Sequence, residues 1–349
     1  MRFFGRGMIL IGVTVAGLAP TALAAPPATA GQTLTRLAGH CIEVTATIPL
    51  AHASGEIAVN PNTNTVYATT FGHKVIVISG RTNKVVSMIS VGRNADAVAV
   101  NPATNTIYVG NSRDGTISVI DGQTRTVVAT IPIGRDEGHI AVNPATNTIY
   151  VTHLFADTVS VISGRTNTVT ATIPVAQFPQ SVAVDPKTNT IYVTGMGPDE
   201  VTVISGRTNK VVAHIPFPLG TPRALAVNPA TDTVYAASAS NGSGPGSAAV
   251  ISGQTNTVVA TIPIGSLPDG VAVNPDTNIV YVTNQWVSPG PNGSVAVLNG
   301  QTNKPLATIP GGVAPFGVAA DPNTNRAYVA NAPTDGSPSS VSVLGPCPL

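Results

Sequence analysis

The densest group of reactive side chains is the segment Arg135-Asp136-Glu137-Gly138-His139, which is followed by His153. Two imidazoles and two carboxylates can bind a divalent metal ion or act as the acid and base of a proton transfer. Polar residues also accumulate in any exposed loop, so solvated charge is the other interpretation. We therefore assign no catalytic residue and no metal ligand from sequence. We expect no cofactor, with a divalent metal as the alternative.

A second set of candidates occupies one recurring position, just before an apolar alternation that ends in Asn-Pro or Asp-Pro. The side chains at this position differ while the sequence around them repeats; they are Glu56, Asp96, Gln180, Arg223, Asp269 and Phe316. Unlike side chains on a repeated frame are typical of a ligand-binding site, although neutral drift gives the same pattern.

The single tryptophan, Trp286, falls in a Gly/Pro-rich stretch that we interpret as a loop. There it would contact a carbohydrate or aromatic ligand, or else act as a structural plug. The predicted ligand-binding residues are Glu56, Asp96, Asp136, Glu137, His139, His153, Arg223, Asp269 and Trp286.

Several chemistries lack their motifs. The sequence has no G-x-S-x-G, H-E-x-x-H or C-x-x-C motif, and no phosphate-binding loop followed by a helix. Nucleic-acid binding requires a basic excess and stacking aromatics. The chain has 17 basic and 16 acidic residues and 4% aromatics, so we do not expect a nucleic acid as partner.

A repeat sets the positions of all these residues. The motif Asn/Asp-Pro-x-Thr recurs seven times, at Pro61, Pro102, Pro144, Pro186, Pro229, Pro275 and Pro322. Each unit contains four short segments rich in Val, Ile, Thr and Tyr, separated by Pro, Gly and Asn turns. A period of roughly 40–45 residues with four strands is typical of a β-propeller blade. The predicted fold is all-β, a seven-bladed β-propeller with four antiparallel strands per blade.

The two ends of the repeat array predict how the ring closes. The last unit lacks its fourth strand, and residues 42–49 match the missing pattern. We therefore expect this N-terminal strand to pair with the last blade. The pairing places Cys41 and Cys347 on either side of one turn, and an exported protein with two cysteines would join them in a disulfide.

Residues 1–24 have the features of a signal peptide. Arg2 and Arg6 precede an apolar run from Met8 to Leu18, and Ala22-Leu23-Ala24 is an A-x-A cleavage site; an uncleaved anchor is the alternative. Residues 25–40 are a predicted linker, and residues 41–349 a single propeller. No later run is long and apolar enough to cross a membrane as a helix. We therefore expect an exported protein, in the periplasm, at the cell surface or outside the cell.

The repeated Tyr-Val-Thr and Tyr-Val-x-Asn segments resemble those of the YVTN-family β-propellers. The matching segments begin at Tyr150, Tyr192, Tyr281 and Tyr328. That family includes surface-layer repeat proteins and the periplasmic YncE type, and seven-bladed relatives include lactonases and a streptogramin lyase. The resemblance implies the fold and leaves the activity open. All seven tyrosines share one repeat position, so we interpret them as packing between blades.

The antiparallel order of strands separates the connections into two faces. The variable loops carry more acids than bases, and the repeated turns carry more bases than acids. Such a field favours cationic groups at the variable face. We predict a monomeric binding or interaction scaffold, with a small molecule or a macromolecule at the variable face. The alternative is a lactonase-like hydrolase or lyase acting in the central mouth.

Overall fold

The computed structural model describes residues 41–52, 54–217, 220–240, 245–286, 293–333 and 338–347. The predicted signal peptide and linker, residues 1–24 and 25–40, lie outside this part of the chain. All regular elements within it are β-strands, and none of its segments is a helix that could cross a membrane.

The strands form seven antiparallel sheets of four, which confirms the predicted architecture. Blade 1 contains β2 (Ser54–Asn60), β3 (Thr65–Thr70), β4 (Lys74–Ser79) and β5 (Lys84–Ser90). Blade 2 contains β6 (Ala95–Asn101), β7 (Thr106–Asn111), β8 (Thr116–Asp121) and β9 (Thr126–Pro132). Blade 3 contains β10 (Glu137–Asn143), β11 (Thr148–His153), β12 (Thr158–Ser163) and β13 (Thr168–Pro174).

The remaining blades follow the same order. Blade 4 contains β14 (Pro179–Asp185), β15 (Thr190–Gly195), β16 (Glu200–Ser205) and β17 (Lys210–Pro216). Blade 5 contains β18 (Thr221–Asn228), β19 (Thr233–Ala239), β20 (Ser247–Ser252) and β21 (Thr257–Pro263). Blade 6 contains β22 (Ser266–Asn274), β23 (Ile279–Trp286), β24 (Gly293–Asn299) and β25 (Lys304–Gly312). Blade 7 contains β26 (Pro315–Asp321), β27 (Arg326–Asn331), β28 (Ser340–Pro346) and β1 (Ile42–Pro49).

Blade 7 closes the ring in the predicted way. Its strand order is β1-β28-β27-β26, and β1 pairs antiparallel with β28. Cys41 and Cys347 form the predicted disulfide, with their Cα atoms 5.3 Å apart. The Cys347 N–H also donates to the Cys41 carbonyl at 3.0 Å. Both ends of the propeller are therefore fastened to one sheet.

The recurring Thr-Asn pairs have a conformational role. The Asn in each pair adopts a positive φ near +50°, as at Asn64, Asn105, Asn147, Asn189 and Asn278. Asn tolerates this left-handed conformation better than other residues with a side chain, apart from Asp. The tight turns between strands therefore explain the repeated sequence.

The seven tyrosines pack between blades, as predicted. Each is 2% exposed or less, and together they are Tyr67, Tyr108, Tyr150, Tyr192, Tyr235, Tyr281 and Tyr328. The hydroxyl of Tyr235 reaches the next blade, where it donates to Asn278 Oδ1 at 3.3 Å. This contact confirms a packing role for the repeated Tyr.

A ladder of asparagine amides joins the blades where the innermost strands end. Asn60 Nδ2 donates to Asn105 Oδ1 at 2.7 Å, and four other junctions repeat this bond. At the junction of blades 4 and 5 the equivalent residues are Asp185 and Asp232. Asp185 is fully buried. Burial and the neighbouring Asp185 raise the pKa of Asp232, because two adjacent carboxylates repel each other.

Asp232→Asn should therefore stabilise the protein at neutral pH by about 1 kcal/mol, the typical net value of one hydrogen bond. A raised folded-state pKa gives stability that is present below the unfolded pKa and lost as pH rises through the folded value. The gain should therefore disappear near pH 3. Urea denaturation at both pH values measures it. Asp276→Asn, on the exposed equivalent turn of blade 6, is the control; an equal gain there would contradict the explanation.

Candidate functional site

Seven side chains, one from each blade, lie inside β-bulges of the innermost strands. We call this set the channel ring: Glu56, Asp96, His139, Gln180, Arg223, Asp269 and Phe316. In every blade the register of the innermost strand with its neighbour shifts at the ring residue. A bulge leaves one residue unpaired and redirects its side chain, and bulges are enriched beside active sites.

Strained backbone precedes several ring residues. Asn94, Phe178, Leu267 and Ala314 have φ between +47° and +57°, and each lies two positions before a ring residue. Phe, Leu and Ala rarely adopt this conformation, which costs on the order of 1–3 kcal/mol per residue and concentrates at functional sites. At Phe178 the backbone N–H donates to Asp157 Oδ1 at 2.9 Å, which holds the turn in place.

In blades 1 and 3 the ring residue is displaced by one position, because Gly55 and Gly138 occupy the usual place. A Cβ at Gly138 would lie 2.6 Å from Thr152 Oγ1, so no larger residue fits without a shift. The His139 N–H donates to the same Thr152 hydroxyl at 2.9 Å. This arrangement brings His139 into the ring.

Glu56 is the electrostatic centre of the ring. Its Oε1 lies 3.8 Å from His139 Nδ1, and one fifth of its side chain is exposed. Burial, and after it the charges of Asp269 and Asp96, raise the pKa of Glu56 to about 8. Burial also lowers the pKa of His139, although the same two aspartates oppose this effect. At neutral pH the pair is therefore mostly a protonated carboxyl beside a neutral imidazole.

The other acids of the ring are held by neighbouring polar groups. Asp96 Oδ2 accepts hydrogen bonds from Ser112 Oγ at 2.7 Å and Asn94 Nδ2 at 3.1 Å. Burial nevertheless raises the pKa of Asp96. Asp269 Oδ2 accepts a bond from Gln285 Nε2 at 2.9 Å, and its Oδ1 lies 3.9 Å from Arg223 Nη1.

Three polar atoms of the ring are enclosed but have no hydrogen-bond partner in the described part of the chain. They are Asp96 Oδ1, Gln180 Oε1 and Arg223 Nε. Buried polar atoms are nearly always satisfied in folded proteins, and exceptions require an explanation. Two of the three are acceptors, so a ligand that donates hydrogen bonds would satisfy them.

The predicted residues of blade 3 have different surroundings. His153 is 4% exposed, and its Nε2 lies 2.8 Å from Ser160 Oγ. Asn111 and Asn331 occupy the equivalent position in their repeats and donate to Ser118 and Ser342. His153 therefore takes the structural role of these asparagines, whereas His139 joins Glu56.

The other predicted residues, Asp136, Glu137 and Trp286, are not members of the ring. Asp136 is exposed, has φ +72°, and its charge acts on His153. The backbone of Glu137 pairs with His153. Strand β23 extends through Trp286, so its backbone belongs to a strand and not to the predicted loop. The side chains of Glu137 and Trp286 lie outside the described structure.

Three residues that contact the ring were not predicted from sequence: Phe71, Ser112 and Gln285. Each lies four positions after the repeated tyrosine of its unit. Ser112 and Gln285 bond to Asp96 and Asp269, and Phe71 packs against Phe316. The variability of this second position is the signal that would have identified them.

Two kinds of chemistry are compatible with the ring. The enclosed carboxyls can bind a cation, and Glu56 with His139 can exchange a proton near neutral pH. Among the described residues no group of three His, Cys, Asp or Glu side chains is arranged to hold a metal ion.

Comparisons with known proteins support the fold. No family model matches the chain, and no curated protein matches it. A solved structure of hydrazine synthase from Kuenenia stuttgartiensis superposes with a TM-score of 0.72 at 19% identity, covering 83% of this chain and 95% of that one. At this identity the likeness shows the fold alone. The chain is a seven-bladed β-propeller, and its resemblance to the YVTN family remains a prediction.

Proposed function

We propose that the protein is an exported binding scaffold whose ligand presents positive charge to the channel ring. The observation that carries the proposal is the convergence of Glu56, Asp96 and Asp269 on one enclosed site. Their mutual repulsion is only partly relieved by Arg223, which lies 3.9 Å from Asp269 and is one-third exposed. A bound cation would relieve it further.

Export is supported by the disulfide between Cys41 and Cys347, since disulfides persist in oxidising compartments. The signal-peptide features of residues 1–24 agree with this location. The periplasm and the cell surface are the two sites that we propose.

Isothermal titration with spermidine and with a hexalysine peptide at pH 8.5 and low ionic strength tests the binding function. We expect Glu56→Gln to weaken binding at least about tenfold, because the loss of a close charge pair in an enclosed site exceeds roughly 1.4 kcal/mol. Asp276→Asn removes one charge from an exposed turn at the opposite end of the innermost strand and should leave binding unchanged. Equal affinity in wild type and Glu56→Gln, or preference for hexaglutamate, would contradict the proposal.

One observation favours the alternative, a lactonase-like hydrolase or lyase. The Glu56 carboxyl and the His139 imidazole lie 3.8 Å apart, and both have pKa values displaced by burial, as in acid–base catalysis. Turnover of γ-butyrolactone or δ-valerolactone that is lost in His139→Ala, with folding intact, would establish this alternative in place of the scaffold.

A further inference from the structure

We propose that the channel ring binds an organic cation, an ammonium or guanidinium group joined to an apolar body, in preference to a bare metal ion. This inference rests on the proposed binding function and specifies the ligand class. It depends on an aromatic surface beside Glu56 and on the enclosed acceptors Asp96 Oδ1 of blade 2 and Gln180 Oε1 of blade 4.

The aromatic surface is formed by Phe71 and Phe316 at the junction of blades 1 and 7. Their ring centroids are 6.0 Å apart and the planes are nearly perpendicular, at 88°. Phe71 is 43% exposed, so part of its ring surface is open to a ligand. Phe316 itself is the ring member of blade 7.

This aromatic surface lies directly beside Glu56. A Cβ at Gly55 would be 3.1 Å from Phe71 Cζ, so the phenyl ring rests on the backbone immediately before Glu56. Gly317, which follows Phe316, is equally close: a Cβ there would lie 3.1 Å from Glu56 Cα. Both phenylalanines therefore flank the residue whose charge a cation would neutralise.

Aromatic faces discriminate between kinds of cation. An alkylammonium can place its charge near a phenyl face and bury its apolar body there, and the cation–π contact adds to its affinity. A divalent ion instead needs several oxygen or nitrogen ligands in place of its water shell, and phenyl rings supply none.

The unpartnered acceptor oxygens of the ring suit a ligand that carries N–H donors. Asp96 Oδ1 and Gln180 Oε1 are enclosed oxygens without a donor in the described residues. An ammonium or guanidinium group carries N–H donors of the kind that such oxygens accept. A bare metal ion would satisfy acceptors as well, but it would not use the apolar surface of Phe71.

Isothermal titration at pH 8.5 with hexylammonium, methylammonium and Mg²⁺ at equal ionic strength tests the inference. We expect hexylammonium to bind at least about tenfold more tightly than the other two, since apolar burial and cation–π contact together exceed roughly 1.4 kcal/mol. Phe71→Leu keeps an apolar side chain but removes the π face, and should weaken hexylammonium binding by about 2- to 30-fold.

Phe155→Leu is the matched control. Phe155 is 67% exposed and forms a similar perpendicular pair with Phe178, at 6.5 Å, but neither residue belongs to the ring. Its replacement should leave binding unchanged.

The outcomes separate this inference from the function on which it rests. If methylammonium or Mg²⁺ binds as tightly as hexylammonium, or if Phe71→Leu binds like wild type, the organic-cation inference is overturned while a cation site remains. If no cation binds, spermidine and hexalysine included, the proposed function fails as well.

Discussion

Replacing Glu56 with Gln should stabilise the propeller at pH 9 by about 3 to 5 kcal/mol, because each pKa unit of displacement corresponds to roughly 1.4 kcal/mol. The pKa of Glu56 is about 8 in the folded protein, against an ordinary value of 4.5. The folded state therefore holds this proton more tightly than the unfolded state. The contribution of the protonated Glu56 to the free energy of unfolding is therefore fully present below pH 4.5, and it is lost as the pH rises through 8.

Burial of the Glu56 carboxyl, and after it the charged groups that face it, account for this displacement. Asp269 on β22 and Asp96 on β6 oppose its negative charge, and His139 on β10 is held neutral by its own burial. Gln keeps the shape of the side chain without the charge. The variant should consequently show a flatter dependence of stability on pH between 5 and 9.

Urea denaturation of both proteins at pH 4.5, 7 and 9 measures the effect. Glu200→Gln is the control, because Glu200 is a glutamate on β16 that pairs with the half-exposed His214, outside the ring. The curves of Glu56→Gln and wild type should converge at pH 4.5 and separate at pH 9. Parallel curves at all three values would show that Glu56 is an ordinary solvated carboxylate.

Loss of the disulfide is the second large effect. Changing Cys41 and Cys347 to Ser should lower the free energy of unfolding by about 3 to 5 kcal/mol, the range for cross-links that close long loops. The loop between these cysteines spans 306 residues, so the restriction of the unfolded chain is large. For a protein of this size the melting temperature should fall by about 5 to 10 °C.

Reduction of the wild-type protein should reproduce the effect of the double variant. The loss of stability should appear first in blade 7, because β1 and β28 are then no longer joined by the disulfide. Faster hydrogen exchange of the β1 amides would detect it. An unchanged melting temperature after verified reduction would mean that strand pairing alone closes the ring.

The fold could be predicted from sequence because the same local sequence features recur in the successive units. The Asn-Pro turns, the left-handed Asn residues and the buried Tyr recur at one spacing, and only a propeller satisfies all of them. The incomplete last unit and the position of Cys41 likewise determine the closure.

The site was predicted only in part. The position of the ring could be found from its variable residues, including Glu56, whereas His139 was singled out as part of the cluster of reactive side chains before it. The bulges could not, because a shift in register depends on contacts between strands and leaves no clear local pattern. His153 lies outside the ring: its repeat position matches Asn111, and that alignment predicts a buried structural side chain.

Phe71 and Gln285 were missed for a related reason. Their importance comes from proximity to Phe316 and Asp269 across strands, and neither residue type is diagnostic by itself. A search for variable positions within the repeat, rather than for catalytic residue types, would have identified both.

Proton release on ligand binding tests the central claim most directly. At pH 7 the free protein should hold a proton on Glu56, and a bound cation should displace most of it. Titration of spermidine in phosphate and in Tris, whose ionisation enthalpies differ, measures the number of protons released. We predict release of nearly one proton per site in wild type and none in Glu56→Gln. Binding without proton release, or equal release in both proteins, would contradict a cation site centred on Glu56.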